Sequence, residues 1–295
     1  METHDHKQWK GKTDGTSWMH QSLIIGFRYI NLNIIYAVMG IFVVPFYLLF
    51  AHKGYISMYR FFRQRFCYAP LKSFRYTYLN HYRFGQIILD RFAAYAGKKF
   101  DCEIINNDTF CNLSDGDAGL VIISSHVGNY ELAGYMLKAD KKRFNALVYS
   151  GEAKAVMENR NRILSANNIR MIAVQKDMSH LFMMSSALSD GEILSIPGDR
   201  IFGSPRSVEC DFFGGKAKFP LGPFAIAVQR DTPLLAVFVM KETSSRYKIQ
   251  INCINSQGKD NRERTANAAQ HFALLLEAVV RQYPEQWFNY YNFWS

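Results

Sequence analysis

From about residue 98 onward, the chain alternates short apolar runs with longer segments of helical periodicity. This alternation is typical of a largely parallel sheet whose strands are joined by crossover helices. The predicted strands lie at 119–125, 145–150, 170–174, 192–197, 234–240 and 247–254. The predicted helices lie at 130–139, 152–168, 177–189, 222–230 and 260–282. The pattern therefore predicts an α/β domain over residues 98–295, with helices flanking a central sheet.

Residues 29–51 are a different kind of segment, because they contain no charged side chain. A helix needs about 20 mostly apolar residues to cross a bilayer, so the length suffices for a span. Pro45 would kink such a helix, and Asn31 and Asn33 weaken its start, which leaves a re-entrant or surface-lying helix as an alternative. A helix of the protein core is a second alternative. We expect a membrane-associated helix here, preceded by an N-terminal tail at residues 1–28.

The residues that follow this segment are basic and aromatic. Between positions 53 and 83 there is no Asp or Glu, and the basic residues are Lys53, Arg60, Arg63, Arg65, Lys72, Arg75 and Arg83. The whole chain has a formal net charge of +10. Cationic proteins collect at nucleic acids and at anionic membranes, and the position of this charge beside the apolar segment favours a membrane over nucleic acid. Residues 29–97 are therefore expected to hold the membrane-associated helix and interfacial helices, with the catalytic domain on the cytoplasmic face.

The five cysteines are scattered and include no C-x-x-C pair. Neither a zinc site nor a disulfide framework is indicated by this spacing. No other cluster of residues has the spacing of metal ligands, so the sequence predicts no metal and no organic cofactor.

The stretch GLVIISSHVGNYELAG, residues 119–134, carries the candidate chemistry. It predicts a buried strand followed by His126, a turn at Gly128, and a helix that Asn129 caps and whose first turn contains Glu131. On one regular helix, residues five apart differ by about 140° in azimuth, so His126 and Glu131 can meet only across a strand-turn-helix. Glu131, held ionised by the helix N-terminus, would orient one ring nitrogen while the other accepts a proton. Such a base without a protein nucleophile fits direct attack by a substrate hydroxyl or amine.

These residues resemble the lysophospholipid acyltransferase superfamily and, within it, the lipid A late acyltransferases of Gram-negative bacteria. The first motif of that family, His-x4-Asp/Glu, is present as HVGNYE. ALSDGEILSIPGDRIFG (187–203) looks like the family's strand and Asp-containing loop, and VECDFFGGKAKFPLGPFAIAVQRDTPLLAVFV (208–239) is similar to its glycine-rich turn, helix and strand. YPEQWFNYYNFW (283–294) resembles its Pro-Glu-Gln-Trp ending. The resemblance covers residues 119–294.

The resemblance implies a glycerol-3-phosphate acyltransferase-like sandwich and a membrane enzyme of lipid biosynthesis at the cell inner membrane. The reaction would transfer a fatty acyl group from an acyl carrier protein or coenzyme A thioester to a lipid or glycolipid hydroxyl, or to an amine. His126 and Glu131 would form the catalytic dyad. The residues expected to bind substrate are Asn129, Arg160, Lys176, Asp199 and Arg200.

Two departures from the family pattern concern the acceptor. After Pro197 the chain reads Gly-Asp-Arg, where related phospholipid enzymes have Glu-Gly-Thr-Arg, and at 175–177 it reads Gln-Lys-Asp, where late lipid A enzymes often have Arg-Lys-Asp. Losing that arginine removes a bidentate phosphate donor, although Lys176 remains as a point charge. An amino-acid lipid or an aryl-polyene-type pigment lipid is therefore an alternative acceptor. A catalytically silent lipid-binding membrane protein is the alternative of another class, and the intact dyad argues against it.

Overall fold

The fold is that of a computed structural model of the chain, which describes residues 26–27, 30–50, 52–148, 164–165, 168–175, 177–201 and 206–294. Its helices are α1 (Leu32–Phe50), α2 (His52–Gln64), α3 (Pro70–Tyr95), α4 (Asn107–Asp115), α5 (Tyr130–Met136), α6 (Ser179–Ser189), α7 (Gly222–Gln229) and α8 (Asn261–Gln282). Its strands are β1 (Asp101–Ile105), β2 (Leu120–Ser124), β3 (Phe144–Val148), β4 (Ile169–Ala173), β5 (Ile193–Pro197), β6 (Ser207–Phe212), β7 (Gly215–Pro220), β8 (Leu234–Lys241) and β9 (Arg246–Cys253).

Seven strands form the central sheet in the order β1-β9-β8-β2-β5-β3-β4. The pairs from β8 through β4 are all parallel, whereas β9 runs antiparallel to β8. The prediction of a largely parallel sheet flanked by helices is confirmed, and each of the predicted strands is present. Most of the helix predicted at 152–168 lies outside the described residues. The carboxyl ends of β2, β3, β4, β5 and β8 meet at one side of the sheet, which we call the carboxyl edge.

Both faces of the sheet are covered by apolar side chains, and α2 belongs to one of these two layers. Phe61 and Phe62 of α2 are buried in the same cluster as Trp287, with 4.7 Å between the ring centroids of Phe61 and Trp287. The helix that follows the apolar segment therefore packs into the core of the sheet. The division of the chain at residue 98 stays a prediction.

Helix α1 is long and apolar enough, by length and composition, to cross a membrane. One stripe of it packs along α3, where the Tyr78 hydroxyl donates to the Gly40 carbonyl at 2.8 Å and Met39 fills the space above Gly85. Its remaining surface is exposed and apolar, as at Phe42, whose exposed fraction is 67%. An apolar helix that exposes most of its surface is not a core helix.

Helix α3 lies across the carboxyl edge, between the sheet and α1. Its Asn80 side chain donates to the Trp287 carbonyl at 2.8 Å. Near its other end, the buried carboxylate of Asp90 accepts hydrogen bonds from Lys241 at the end of β8, from Tyr247 of β9 and from Tyr36 of α1. Burial raises the pKa of Asp90 and lowers that of Lys241, and the ion pair offsets part of each shift. This polar cluster joins α1, α3 and the sheet at one point.

Replacing Asp90 by Asn should lower the free energy of unfolding by about 3 to 5 kcal/mol, because Lys241 would remain buried without a counter-charge. The control is Glu103→Gln, which removes an exposed carboxylate 2.8 Å from Arg246 and should cost under about 1 kcal/mol. Denaturant unfolding of both variants in detergent solution measures the difference. Equal losses would show that the buried pair contributes no more than an exposed one.

Candidate active site

The segment after β2, residues 125–129, forms a turn that places His126 at the carboxyl edge. Gly128 has φ +59°, and a Cβ there would lie 2.0 Å from the Val239 carbonyl oxygen of β8, so only glycine fits. Hydrogen bonds from Gly128 N to the Gln286 carbonyl (2.8 Å) and from Phe288 N to the His126 carbonyl (2.9 Å) fix the other side of the turn. We call residues 286–288 the C-terminal clasp, because their backbone is hydrogen-bonded to the backbone of His126 and Gly128.

A carboxylate from the neighbouring strand holds the imidazole. Asp199 follows β5, which pairs with β2 in parallel register, Ser124 opposite Pro197. Its Oδ1 lies 2.8 Å from His126 Nδ1, and its Oδ2 accepts a hydrogen bond from the His126 backbone N–H, also at 2.8 Å. Asp199 is buried, whereas the His126 side chain retains 22% of its accessible surface. The carboxylate thus fixes both the backbone and the ring of His126, and leaves the ring partly open to solvent.

The charges at this pair follow from burial and proximity. Burial lowers the pKa of His126, and the facing Asp199 carboxylate offsets part of that shift. Burial alone would raise the pKa of Asp199, but the His126 imidazole and the Arg200 guanidinium hold it below its ordinary value. At neutral pH the ring is therefore neutral and the carboxylate ionised. Nδ1 then carries the proton and donates a hydrogen bond to the Asp199 carboxylate, while Nε2 presents a lone pair.

Glu131 lies in the first turn of α5, as the sequence predicts, and two of its contacts are to residues of α3. Oε1 pairs with the Arg91 guanidinium, and Oε2 lies 3.4 Å from the Tyr95 hydroxyl. The expected arrangement, in which Glu131 orients His126, differs from the structure, where Asp199 occupies the Nδ1 position because β5 is the adjacent strand. The charge of Glu131 is close enough to raise the pKa of His126. A catalytic role for Glu131 stays a prediction.

Asn129 and Arg200 support this turn and the clasp. Asn129 occupies the N-cap position of α5 without the expected side-chain capping bond, because its Nδ2 donates to the Tyr247 hydroxyl at 3.3 Å. An Arg200 nitrogen donates to the Phe288 carbonyl at 2.6 Å. The expectation that Asn129, Asp199 and Arg200 also contact the acceptor stays a prediction. The other candidates, Arg160 and Lys176, lie outside the described residues.

A cleft of about 70 Å³ opens beside Glu131 and Tyr130. Its remaining walls are mostly apolar and come from the β2, β3 and α5 region, with Leu137, Phe144 and Leu147 among them. Within the described ranges, no cluster of three or more His, Cys, Asp or Glu side chains is arranged to hold a metal ion. Tyr130, which lines this cleft, has its ring 5.4 Å from the His126 ring, so a small cleft with mostly apolar walls lies near the His126–Asp199 pair.

Sequence reasoning missed Arg91, Tyr95 and the contacts of the clasp with His126. Arg91 and Tyr95 lie on a helix that precedes the sheet, and a composition-based interpretation assigned that helix to the membrane interface. Residues 286–288 lie within the YPEQWFNYYNFW ending, and the Trp287 side chain is fully buried. The hydrogen bonds between these residues and the His126 turn join backbone atoms, so no side chain in the sequence predicts them and only the tertiary structure shows them.

The comparisons with known proteins cover most of the chain. A family model described as bacterial lipid A biosynthesis acyltransferase matches residues 90–295, which include the sheet, the His126 turn and the clasp. Among curated proteins, none matches the chain. Among solved structures, the chain is similar to the crystal structure of the 1-acyl-sn-glycerophosphate (LPA) acyltransferase, PlsC, from Thermotoga maritima, with 12% sequence identity and a TM-score of 0.42. That match covers 92% of this chain and 99% of the other.

Asp199→Asn should lower kcat by about 10² to 10⁴, the contribution of a positioned general base, because an amide does not hold the Nδ1–H tautomer as a carboxylate does. The same change removes a charge that raises the pKa of His126, so the acid limb of the remaining activity should move to lower pH. Steady-state kinetics across pH measure both effects. The control is Asp211→Asn, at an exposed carboxylate 2.8 Å from Lys216. Unchanged kcat in Asp199→Asn would contradict the assigned role.

Proposed function

The chain belongs to the family of bacterial lipid A biosynthesis acyltransferases, and on that premise we propose that it moves a fatty acyl group from a thioester of acyl carrier protein or coenzyme A to a hydroxyl of a lipid or glycolipid. The observation that carries the proposal is the His126–Asp199 pair, a neutral imidazole held by a buried carboxylate beside an apolar cleft. An acyltransferase needs these two features together, because it must remove a proton from an alcohol and also accommodate a hydrocarbon chain.

In the proposed reaction, the acceptor hydroxyl gives its proton to His126 Nε2 as its oxygen attacks the thioester carbonyl carbon. Asp199 keeps the Nδ1–H in place and stabilises the imidazolium that forms. The tetrahedral intermediate then collapses, the carbon–sulfur bond breaks, and the leaving thiolate takes the proton from Nε2. Nε2 takes the proton in the first step and returns it in the second, so a single nitrogen serves both transfers and no acyl-enzyme is required.

Glu131 and the cleft beside it are assigned to the acyl group in this proposal. Arg91 balances the charge of the Glu131 carboxylate, which lines the cleft, while the walls at Leu137, Phe144 and Leu147 would contact hydrocarbon. Burial of apolar surface contributes roughly 25 cal/mol per Å², so each buried methylene strengthens binding. A cleft of about 70 Å³ has room only for the first carbons of the donor chain, which would lie there with the thioester carbon facing His126.

Membrane association is the second part of the proposal. Helix α1 exposes a wide apolar surface, and the basic residues between 53 and 83 suit an anionic headgroup layer. Both features support a protein bound to the cytoplasmic face of the cell inner membrane, where acyl thioesters and a lipid acceptor would both be available.

His126→Ala should abolish acyl transfer, since no base remains to take the acceptor proton, while the fold should remain intact because Asp199 keeps the backbone N–H of residue 126 as a hydrogen-bond donor. The control is His271→Ala on α8, which removes an imidazole that accepts a hydrogen bond from Asn255 N. This variant should retain turnover. Transfer of radiolabelled acyl groups from a thioester donor, together with a thermal melt, measures both. Turnover in His126→Ala comparable to that of the control would refute the mechanism.

The pH dependence follows from the direction of the His126 shift. A general base must be neutral, and burial holds the pKa of His126 below its ordinary value of 6.5. The acid limb of kcat/KM should therefore lie below pH 6.5, so activity persists in mildly acidic solution where a solvated histidine would already be charged. The measurement uses an acceptor alcohol without ionisable groups. A limb above pH 6.5 would contradict the assignment of His126 in its buried setting.

The acceptor is identified by lipid profiling of a strain that lacks the gene, using mass spectrometry. We expect loss of one acylated glycolipid of the lipid A type and recovery by the wild-type gene but not by His126→Ala. Loss of an amino-acid lipid or a pigment lipid instead would keep the chemistry and change the acceptor. An unchanged profile together with an inactive purified enzyme would refute acyl transfer altogether.

A further inference from the structure

The first turn of α6 exposes an unusual amount of apolar surface. Phe182 retains 79% of its accessible surface and Met178, just before the helix, retains 57%, while Leu181 beside them is also exposed. Met178, Leu181 and Phe182 lie within five positions of one another, so they form one patch at the helix start, which we call the α6 patch. Asp177, whose carboxylate accepts a hydrogen bond from Ser179 N at 3.0 Å, marks its polar border.

The α6 patch lies at the same edge of the sheet as the His126–Asp199 pair. It follows the carboxyl end of β4, and β4 is separated from β5 only by β3. At about 4.8 Å between strands, the end of β4 is roughly 10 Å from Asp199 and about 14 Å from the turn after β2. Ile201, exposed directly after Arg200, adds an apolar side chain beyond the end of β5, which lies between β2 and β3 in the sheet.

Helix α1 lies at this edge on the opposite side of the pair. Tyr36 of α1 binds Asp90, which in turn holds Lys241 at the carboxyl end of β8, and β8 neighbours β2 on the side away from β5. The outer surface of α1 is exposed and apolar over much of its length. The His126–Asp199 pair is therefore flanked by exposed apolar surfaces at the two ends of the carboxyl edge.

We propose that the α6 patch inserts into the lipid bilayer together with the exposed surface of α1, so that the carboxyl edge of the sheet faces the membrane. This inference rests on the proposed function, since it assumes a membrane-bound lipid acceptor. Two apolar surfaces at one edge fit a planar lipid surface, which contacts both at once. Buried apolar area drives such interfacial binding, and Phe182, Leu181 and Met178 supply it without a charged side chain among them.

The orientation of α1 follows from the same arrangement. One stripe of α1 packs along α3 from Tyr36 to Tyr47, whose ring lies 5.8 Å from the His81 ring. Helix α3 carries several charged residues and lies across the carboxyl edge, so it belongs to the polar side of the interface. Helix α1 therefore lies along the membrane surface in this arrangement. The lipid acceptor would then bring its hydroxyl to His126 from the headgroup layer, without leaving the bilayer.

The test places a fluorescent probe on the full-length chain in vesicles of phosphatidylethanolamine and phosphatidylglycerol. In a background with the exposed cysteines replaced, Cys67→Ser and Cys253→Ser, the probe is attached at Phe182→Cys or at the matched control Ser189→Cys. Position 189 ends the same helix and is exposed, but lies about 10 Å farther from the carboxyl edge. Lipids that carry a nitroxide on the acyl chain should quench the probe at 182 severalfold more strongly than the probe at 189.

A second variant links the contact to catalysis. Phe182→Ser should slow transfer to an acceptor embedded in vesicles severalfold, and leave transfer to the same acceptor in detergent micelles at the wild-type rate, because the catalytic pair is untouched. Ser189→Ala should behave as wild type in both assays. Equal quenching at 182 and 189 would overturn the inference, as would protection of the probe at 182 by added carrier protein or by a second copy of the chain without lipid quenching.

These outcomes separate the inference from the function on which it rests. Wild-type transfer in micelles that depends on His126, combined with no quenching at 182, would refute the membrane contact and keep the acyltransferase. Strong quenching at 182 in a protein that transfers no acyl group would instead refute the enzyme, and with it the role of the contact in acceptor delivery.

Discussion

The candidate active site is organised by the contact between Asp199 and His126. A buried carboxylate is costly unless it is paired and hydrogen-bonded, and here it receives both the ring Nδ1–H and the backbone N–H of one residue. That double contact leaves the imidazole a single free nitrogen and a single orientation. Because the two residues follow adjacent parallel strands, β2 and β5, the sheet itself sets their separation.

Hydrogen bonds from several elements fix the turn at residues 125–129 that carries His126. The C-terminal clasp bonds the backbone of the turn, Asn80 of α3 holds the clasp, and Asn129 reaches the Tyr247 hydroxyl that binds Asp90. Elements distant in sequence thus converge on a turn of five residues. The polar cluster at Asp90 also connects the apolar helix α1 to the carboxyl edge of the sheet, where the His126 turn lies.

Much of the fold follows from the sequence because parallel strands are buried on both faces and appear as continuous apolar runs. The strands at 119–125 and 234–240 are of this kind. The elements that escaped prediction are of other kinds: β1 is a short strand at the edge of the sheet, and β6 with β7 forms a separate hairpin whose exposed positions alternate with buried ones. These strands are short and contain few strongly apolar residues, so their sequence gives little indication of a strand.

At the active site, the sequence determined that a histidine ends a buried strand and that a glutamate begins the next helix. It also pointed to Asp199 at the end of another strand. Only the tertiary structure decided which carboxylate binds the ring, because strand order is a long-range property of the fold. The strand order places β5, and therefore Asp199, beside β2. The packing of helix α3 against this edge paired Arg91 with Glu131 of α5, and the strand order put α1 and the α6 patch at one edge. Local pattern fixes what each segment is, whereas the packing of distant segments decides which side chains meet.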